Sequence, residues 1–284
     1  MNKDKIAILV DSCVDVPPHI VKEYNMYVIP LRILYKDREY IDGVNITAEE
    51  VYSRLDTEIP STSLPSASDI NDIFEKIKND GYEKVLVFCL SSGLSGTYNA
   101  IRLQANDFKG LEIVVIDTKN IAIAAGLNAI QAAQNLKEGM DWDTLVKLSS
   151  SNIGNSKVFF SVDTLEYLQK GGRIGLVSSI LGSSISLKPI ISCNEDGIYY
   201  TVAKVIGRRR SISKMIDLAL DFAKGSNEYN VSIVHGGAKD EANQIKERIM
   251  PLLPNCKIFT DGQISPVLGV HTGPGTVGIA IQKL

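Results

Sequence analysis

The chain is predicted to be an α/β protein of two domains, and three observations carry that expectation. Short apolar runs recur along the 284 residues, separated by stretches with helical spacing, the alternation of layered α/β folds. Asn194-Glu195-Asp196-Gly197 stands between two strand-like runs, a hairpin signal that brings antiparallel pairing into the second half. The polar stretch at residues 149–157 reads as the connection between halves. We therefore expect a mostly parallel sheet with helices over residues 1–154 and a mixed α/β domain over residues 155–284.

Ile6-Ala7-Ile8-Leu9-Val10 is a continuous apolar run closed by Asp11-Ser12, the pattern of a strand buried on both faces whose C-terminal end meets a loop. Ligands of open α/β sheets gather at such ends. A second strand is expected over residues 26–34, then a helix over 48–55. Apolar runs predict further strands over residues 84–90, 111–116, 158–162, 187–192, 198–205, 231–235 and 277–281. Helical periodicity predicts helices over residues 68–80, 97–106, 120–137, 142–152, 211–224 and 240–249. No internal repeat or heptad pattern interrupts this order.

Composition narrows the function classes. With 44% hydrophobic residues the chain can fill two cores, and a formal net charge of −3 offers no overall attraction for nucleic acid or anionic membrane. Cys13, Cys89, Cys193 and Cys256 form no CxxC pair, so neither a disulfide framework nor a zinc site is suggested. No apolar signal region precedes the first strand and no apolar run is of membrane length, so a soluble, cytoplasmic protein without stable membrane insertion is expected.

Three hydroxyl- and glycine-rich segments read as an anion site. Pro60-Ser61-Thr62-Ser63-Leu64-Pro65-Ser66 is held by prolines at both sides, with Ser66 or Ser68 able to cap the following helix. Capping does not account for Thr62 and Ser63, which stand too far from the first turn. Ser91-Ser92-Gly93-Leu94-Ser95-Gly96-Thr97 lies between a predicted strand and a predicted helix. There Gly93 and Gly96 let backbone N–H groups approach a ligand, while Ser92, Ser95 and Thr97 supply hydroxyls. The alternative is that Ser95 or Thr97 only ends the helix. His271-Thr272-Gly273-Pro274-Gly275-Thr276 adds an imidazole that can donate to a carboxylate, or that serves only as a satisfied structural histidine.

No metal cluster or cofactor motif accompanies these segments. The phosphate-gripping lysine of a P-loop is absent, which argues against nucleotide binding by that route. Gly93-Leu94-Ser95-Gly96 is near a nucleophile elbow, but Thr97 stands where its last glycine belongs. A serine-dependent acyl or phosphate-ester hydrolase would need Ser95 with His271 and an acid such as Asp11 or Asp117. Lys204 with Arg208-Arg209-Arg210 is the marked basic cluster, either a solvated helix start or a docking patch for an acidic partner. A lipid-sensing interaction protein using that patch is a further alternative. Gly175-Leu176-Val177-Ser178-Ser179-Ile180-Leu181-Gly182 reads as ordinary core or as the wall of a narrow channel.

Taken together, Ser61-Thr62-Ser63-Leu64-Pro65-Ser66, Ser91-Ser92-Gly93-Leu94-Ser95-Gly96-Thr97-Tyr98, Leu168-Gln169-Lys170-Gly171-Gly172-Arg173-Ile174 and His271-Thr272-Gly273-Pro274-Gly275 resemble the DegV family, collinear with it over nearly the whole chain. The resemblance implies two α/β domains with a long-chain fatty acid such as palmitate buried between them, the second domain supplying the acyl-chain pocket. It also implies a non-catalytic role as the fatty acid-binding subunit of bacterial fatty acid kinase, presenting the carboxylate to a separate kinase subunit that makes acyl-phosphate from ATP. By motif position Thr62 and Ser95 match carboxylate-binding residues, with Ser63 and Gly96 beside them, and His271 matches the histidine nearby. Arg173, Lys204, Arg208 and Arg209 become candidate docking residues. Where the family often carries a basic residue after the Lys-Val pair, this chain has Ile206, with Arg208 two positions on; Leu64 replaces a commonly polar position.

Overall fold

Six consecutive buried residues make β1 (Ile6–Asp11) a strand that needs cover on both faces, and the computed structural model, which describes residues 2–180, 182 and 186–284, supplies it. After α1 (Pro18–Glu23), the apolar run expected as one strand over residues 26–34 divides into β2 (Tyr27–Ile29) and β3 (Arg32–Leu34). Pro30 lies at the break, where a residue without an N–H cannot continue a ladder. β2 joins β1 in parallel, while β3 turns away and pairs antiparallel with β4 (Glu39–Ile41). α2 (Ala48–Arg54) opens on a Thr47–Glu50 capping box and leads to β5 (Ser61–Ser63), the third strand of that small sheet.

α3 (Ala67–Asn79) is capped by Ser66 in a box with Asp69. β6 (Lys84–Cys89), α4 (Thr97–Asp107) and β7 (Glu112–Asp117) complete a parallel sheet in the order β2-β1-β6-β7. The C-terminal ends of β1, β6 and β7 all open onto loops at one edge of this sheet.

α5 (Ala122–Lys137) is buried around most of its circumference, and its alanines leave room for close approach on both sides. It packs against β1 and β6 on one face. A Cβ at Gly126 would stand 2.5 Å from the Val14 carbonyl oxygen, so only glycine lets the loop after β1 press on this helix. α6 (Trp142–Ser151) and a short 3-10 turn (Ile153–Asn155) occupy the predicted connection and lead directly into β8 (Ser156–Ser161).

The second half continues with α7 (Glu166–Lys170), a 3-10 turn (Gly175–Ile180), β9 (Ile190–Cys193), β10 (Tyr199–Ala203), α8 (Arg208–Ala223), β11 (Tyr229–Gly236), α9 (Lys239–Ile249), β12 (Cys256–Gln263), α10 (Pro266–Thr272) and β13 (Thr276–Lys283). Leu181, at the end of the small-residue segment, lies outside the described residues. The six strands run β10-β9-β8-β13-β11-β12, mixed as expected: β11 and β12 are parallel and the other pairs antiparallel. Asn194 to Gly197 form the β9–β10 hairpin turn.

α5 lies against β8, β13 and β11 with its other face, so one apolar core runs from Ile8 and Phe88 through Leu127 to Phe160 and Ala280. A second core sits under α8 and α9, and a third under α3 and α4. Among the described residues no helix is long and apolar enough to cross a membrane.

Candidate functional site

Thr62, expected in a loop, sits at the centre of β5 opposite Ile33. Successive side chains of a strand alternate in direction, so Ser63 faces away from Thr62. His271 lies in the last turn of α10 and is 9% exposed. These residues, 209 positions apart, meet: Thr62 Oγ1 is 2.8 Å from His271 Nε2. The other ring nitrogen, Nδ1, has no hydrogen-bond partner among the described residues and faces Gly171, where a Cβ would stand 2.2 Å away. Glycine at 171 is thus what lets α7 close over the ring.

Burial lowers the His271 pKa to about 4, and the Arg173 guanidinium pushes in the same direction. The imidazole is therefore neutral at pH 7 and carries one N–H. With that proton on Nε2, the ring donates to Thr62 Oγ1 and leaves the threonine O–H to donate elsewhere. Arg173 is half-buried and donates through Nη1 to the Gly171 carbonyl at 2.7 Å. Its positive charge bears on both His271 and Cys13.

The Ser95 loop is built from its own hydrogen bonds. The Ser91 carbonyl accepts from Leu94 N and Ser95 N, and Ser91 Oγ accepts from Gly93 N at 3.0 Å. Ser95 Oγ is 2.9 Å from Thr97 Oγ1 and accepts weakly from Thr97 N at 3.3 Å. Gly96 occupies the cap position of α4 and contributes no side-chain cap, so apart from Thr97 N, which Ser95 Oγ accepts from, the first-turn N–H groups receive no cap from the N-cap residue. A Cβ at Gly96 would lie 3.4 Å from Leu64 Cδ2, which sets this loop against the strand segment carrying Thr62. Gly93 packs on the hairpin turn of the second half, its Cβ position 2.8 Å from the Asp196 carbonyl oxygen.

The geometry does not assemble a serine–histidine–acid relay. His271 Nε2 is engaged by Thr62 and Ser95 by Thr97. Asp11 is fully buried and accepts from Cys13 N and Leu90 N, while Asp117 accepts from Ser92 N and Lys119 N and pairs with Lys119 Nζ. Among the described residues no cluster of three His, Cys, Asp or Glu is placed to hold a metal ion.

The basic cluster divides in two. Arg208 faces inward, paired with Glu241 at 2.7 Å and donating to the Gly275 and Ser161 carbonyls, so it fastens α8 rather than presenting a free charge. Lys204, Arg209 and Arg210 are exposed along a groove of about 650 Å3 that also holds Lys214 and Asp217. A separate cleft of about 1180 Å3, walled by Val21, Met26, Ile123 and Val234, reaches Asp15 and Asp42; Thr62, Ser95 and His271 do not line it.

Fold and site define a class: an α/β protein with a parallel and a mixed sheet on either side of a central helix, and a threonine–imidazole pair where a small antiparallel sheet meets α10. The chain belongs to the DegV family, whose model, described as an uncharacterised protein family, matches residues 5–284. DegV domain-containing proteins of Clostridium acetobutylicum and Clostridium perfringens are 40% and 39% identical to it, with 98% or more of each chain covered. A fatty acid-binding DegV family protein of Thermus thermophilus superposes with a TM-score of 0.93 at 25% identity, covering 100% of both chains. A stearic acid-binding protein of Eubacterium ventriosum superposes at 0.89 with 26% identity, 98% of each chain being covered.

Proposed function

We propose that this protein binds a long-chain fatty acid such as palmitate without altering it and presents the carboxylate to a separate kinase subunit. The observation that carries the proposal is the contact between Thr62 and a buried, neutral His271 at 2.8 Å. A neutral ring that donates to Thr62 Oγ1 turns the threonine O–H outward as a donor, which an anion can accept and which replaces lost water. In this reading Ser95 and the start of α4 supply further donors from a loop that packs through Gly96 against Leu64, two residues from Thr62, and Arg173 adds a positive charge that acts on His271; Ser63, next to Thr62 on β5, faces the other way. Solved relatives that bind fatty acids share the whole fold.

The division of labour follows from magnitudes. Burial of a C16 tail at about 0.8 kcal/mol per CH2 contributes on the order of 10 kcal/mol before ordering costs, so the tail supplies affinity. The polar residues supply orientation. The relay a hydrolase would need is not formed, which favours holding over turnover.

The kinase partnership is tested by reconstitution. Protein loaded with palmitate is expected to leave it unchanged during incubation with ATP alone, and acyl-phosphate is expected only when a fatty acid kinase catalytic subunit is added. Release of acyl-phosphate or hydrolysis products by the isolated protein would reject the carrier role. Failure of the kinase to act on the loaded protein would reject the partnership while leaving lipid binding intact.

A further inference from the structure

α10 carries His271 in its last turn, and its first turn lacks the usual cap. Ser265 is the N-cap residue but makes no side-chain cap bond, and Pro266 has no N–H to offer. Two carboxyls from the first half serve instead. Asp42 Oδ1 accepts from Val267 N at 2.9 Å, and Asp15 Oδ1 accepts from Ser265 N at 3.2 Å. Asp42 thus does the work of an N-cap side chain and Asp15 that of the acidic partner in a capping box, both supplied from distant loops.

These bonds are specific and costly to build. Asp42 is 3% exposed, and burial holds its carboxyl up at about 6 and that of Asp15 well above the ordinary range. Asp15 sits at φ 52°, ψ 35°, the left-handed region that favours glycine. From Val267 to His271 is one helical turn, about 6 Å of rigid backbone. Both carboxyls therefore act at one end of a short lever whose other end meets Thr62.

We infer that Asp15 and Asp42 are positioning residues of the carboxylate site, tethering α10 to the first half so that His271 is held against Thr62. The inference rests on the fatty acid-binding reading for its consequence, and on geometry alone for the placement of the ring.

The test uses the full chain and compares Asp42→Ala with Asp42→Asn. Asparagine keeps an accepting oxygen for Val267 N, whereas alanine removes it. The first readout needs no ligand: NMR titration of the imidazoles, of which the chain has three. In Asp42→Ala, His271 is expected to titrate at least about one unit higher than in the parent as its surroundings open, with Asp42→Asn close to the parent. The second readout is palmitate affinity, expected to fall about tenfold in Asp42→Ala and to stay within about twofold in Asp42→Asn. Should Asp42→Ala not fold, Asp15→Ala carries the same comparison through the longer bond. An unchanged His271 titration in the folded alanine variant overturns the tether, as does an asparagine variant as perturbed as the alanine one. Absence of palmitate binding in every form, parent included, would reject the fatty acid reading while the titration still decides the tether.

Discussion

Replacing Gly171 with alanine probes the site through a single added carbon. Gly171 has φ −76° and ψ −7°, a conformation alanine adopts without strain, so the backbone itself does not oppose the change. The new Cβ would stand 2.2 Å from His271 Nδ1 and 2.9 Å from Cε1, against about 3.5 Å for an ordinary contact, so the ring must retreat by about 1 Å. A displacement of that size disrupts the hydrogen bond between Nε2 and Thr62 Oγ1, now 2.8 Å, because Nε2 lies on the far side of the same ring from the new Cβ. The lost hydrogen bond costs roughly 0.5–1.5 kcal/mol of stability, partly offset by the reduced freedom of the unfolded chain. Its effect on ligand is larger, because a misplaced threonine loses a bond to a charged group worth about 1.5–3 kcal/mol, roughly a 10- to 100-fold loss of affinity. Thermal unfolding together with displacement of a fluorescent fatty acid measures both. Binding at parental affinity by Gly171→Ala, with the fold intact, would refute the claim that the Thr62–His271 contact orients the carboxylate.

Two further outcomes follow from the same geometry. Thr62→Val keeps the shape of the side chain but leaves His271 Nε2 without its partner, so palmitate affinity should fall about 10- to 100-fold with a stability loss of about 1–3 kcal/mol; unchanged affinity by calorimetry would remove Thr62 from the site. His271, held at about 4 against an ordinary 6.5, should make the protein lose stability as pH falls through that interval, because only the unfolded chain takes up the proton. The full effect is about 3 kcal/mol. Asp11 and Asp42, held up by burial to about 7 and about 6, act in the opposite sense and lose stability as pH rises toward those values. The comparison is therefore between the parent and His271→Asn in denaturant titrations from pH 7 to 4, and parallel curves for the two would contradict it.

Continuous patterns were legible in the sequence. The apolar runs of β1 and β6 and the periodicity of α3 and α5 need only local chain properties, and they appear within a residue or two of where they were expected. Elements whose existence depends on a distant partner were not. β4 and β5 have three residues each, and Ser61–Ser63 carries no apolar alternation; they are strands because β3 offers ladders on both edges. β12 is a half-polar edge strand defined by its parallel register with β11. The site shows the same division. Hydroxyls, glycines and an imidazole marked the Thr62, Ser95 and His271 segments as one anion site, but nothing local showed that Thr62 and His271 touch. Gly171 was visible as half of a glycine pair, without any sign that an imidazole fills the space its missing side chain leaves. Arg208 illustrates the converse: three arginines in a row look like one exposed patch, yet Glu241 and two carbonyls draw the first of them inward.

The most direct measurement is the identity of the small molecule that leaves with the protein. Native mass spectrometry and solvent extraction of protein purified from a lipid-containing host should release an intact long-chain fatty acid at close to one per chain, and Thr62→Val and Gly171→Ala should carry markedly less. Protein that arrives empty and takes up no palmitate when it is offered would contradict the central claim that a fatty carboxylate docks at the Thr62–His271 seam.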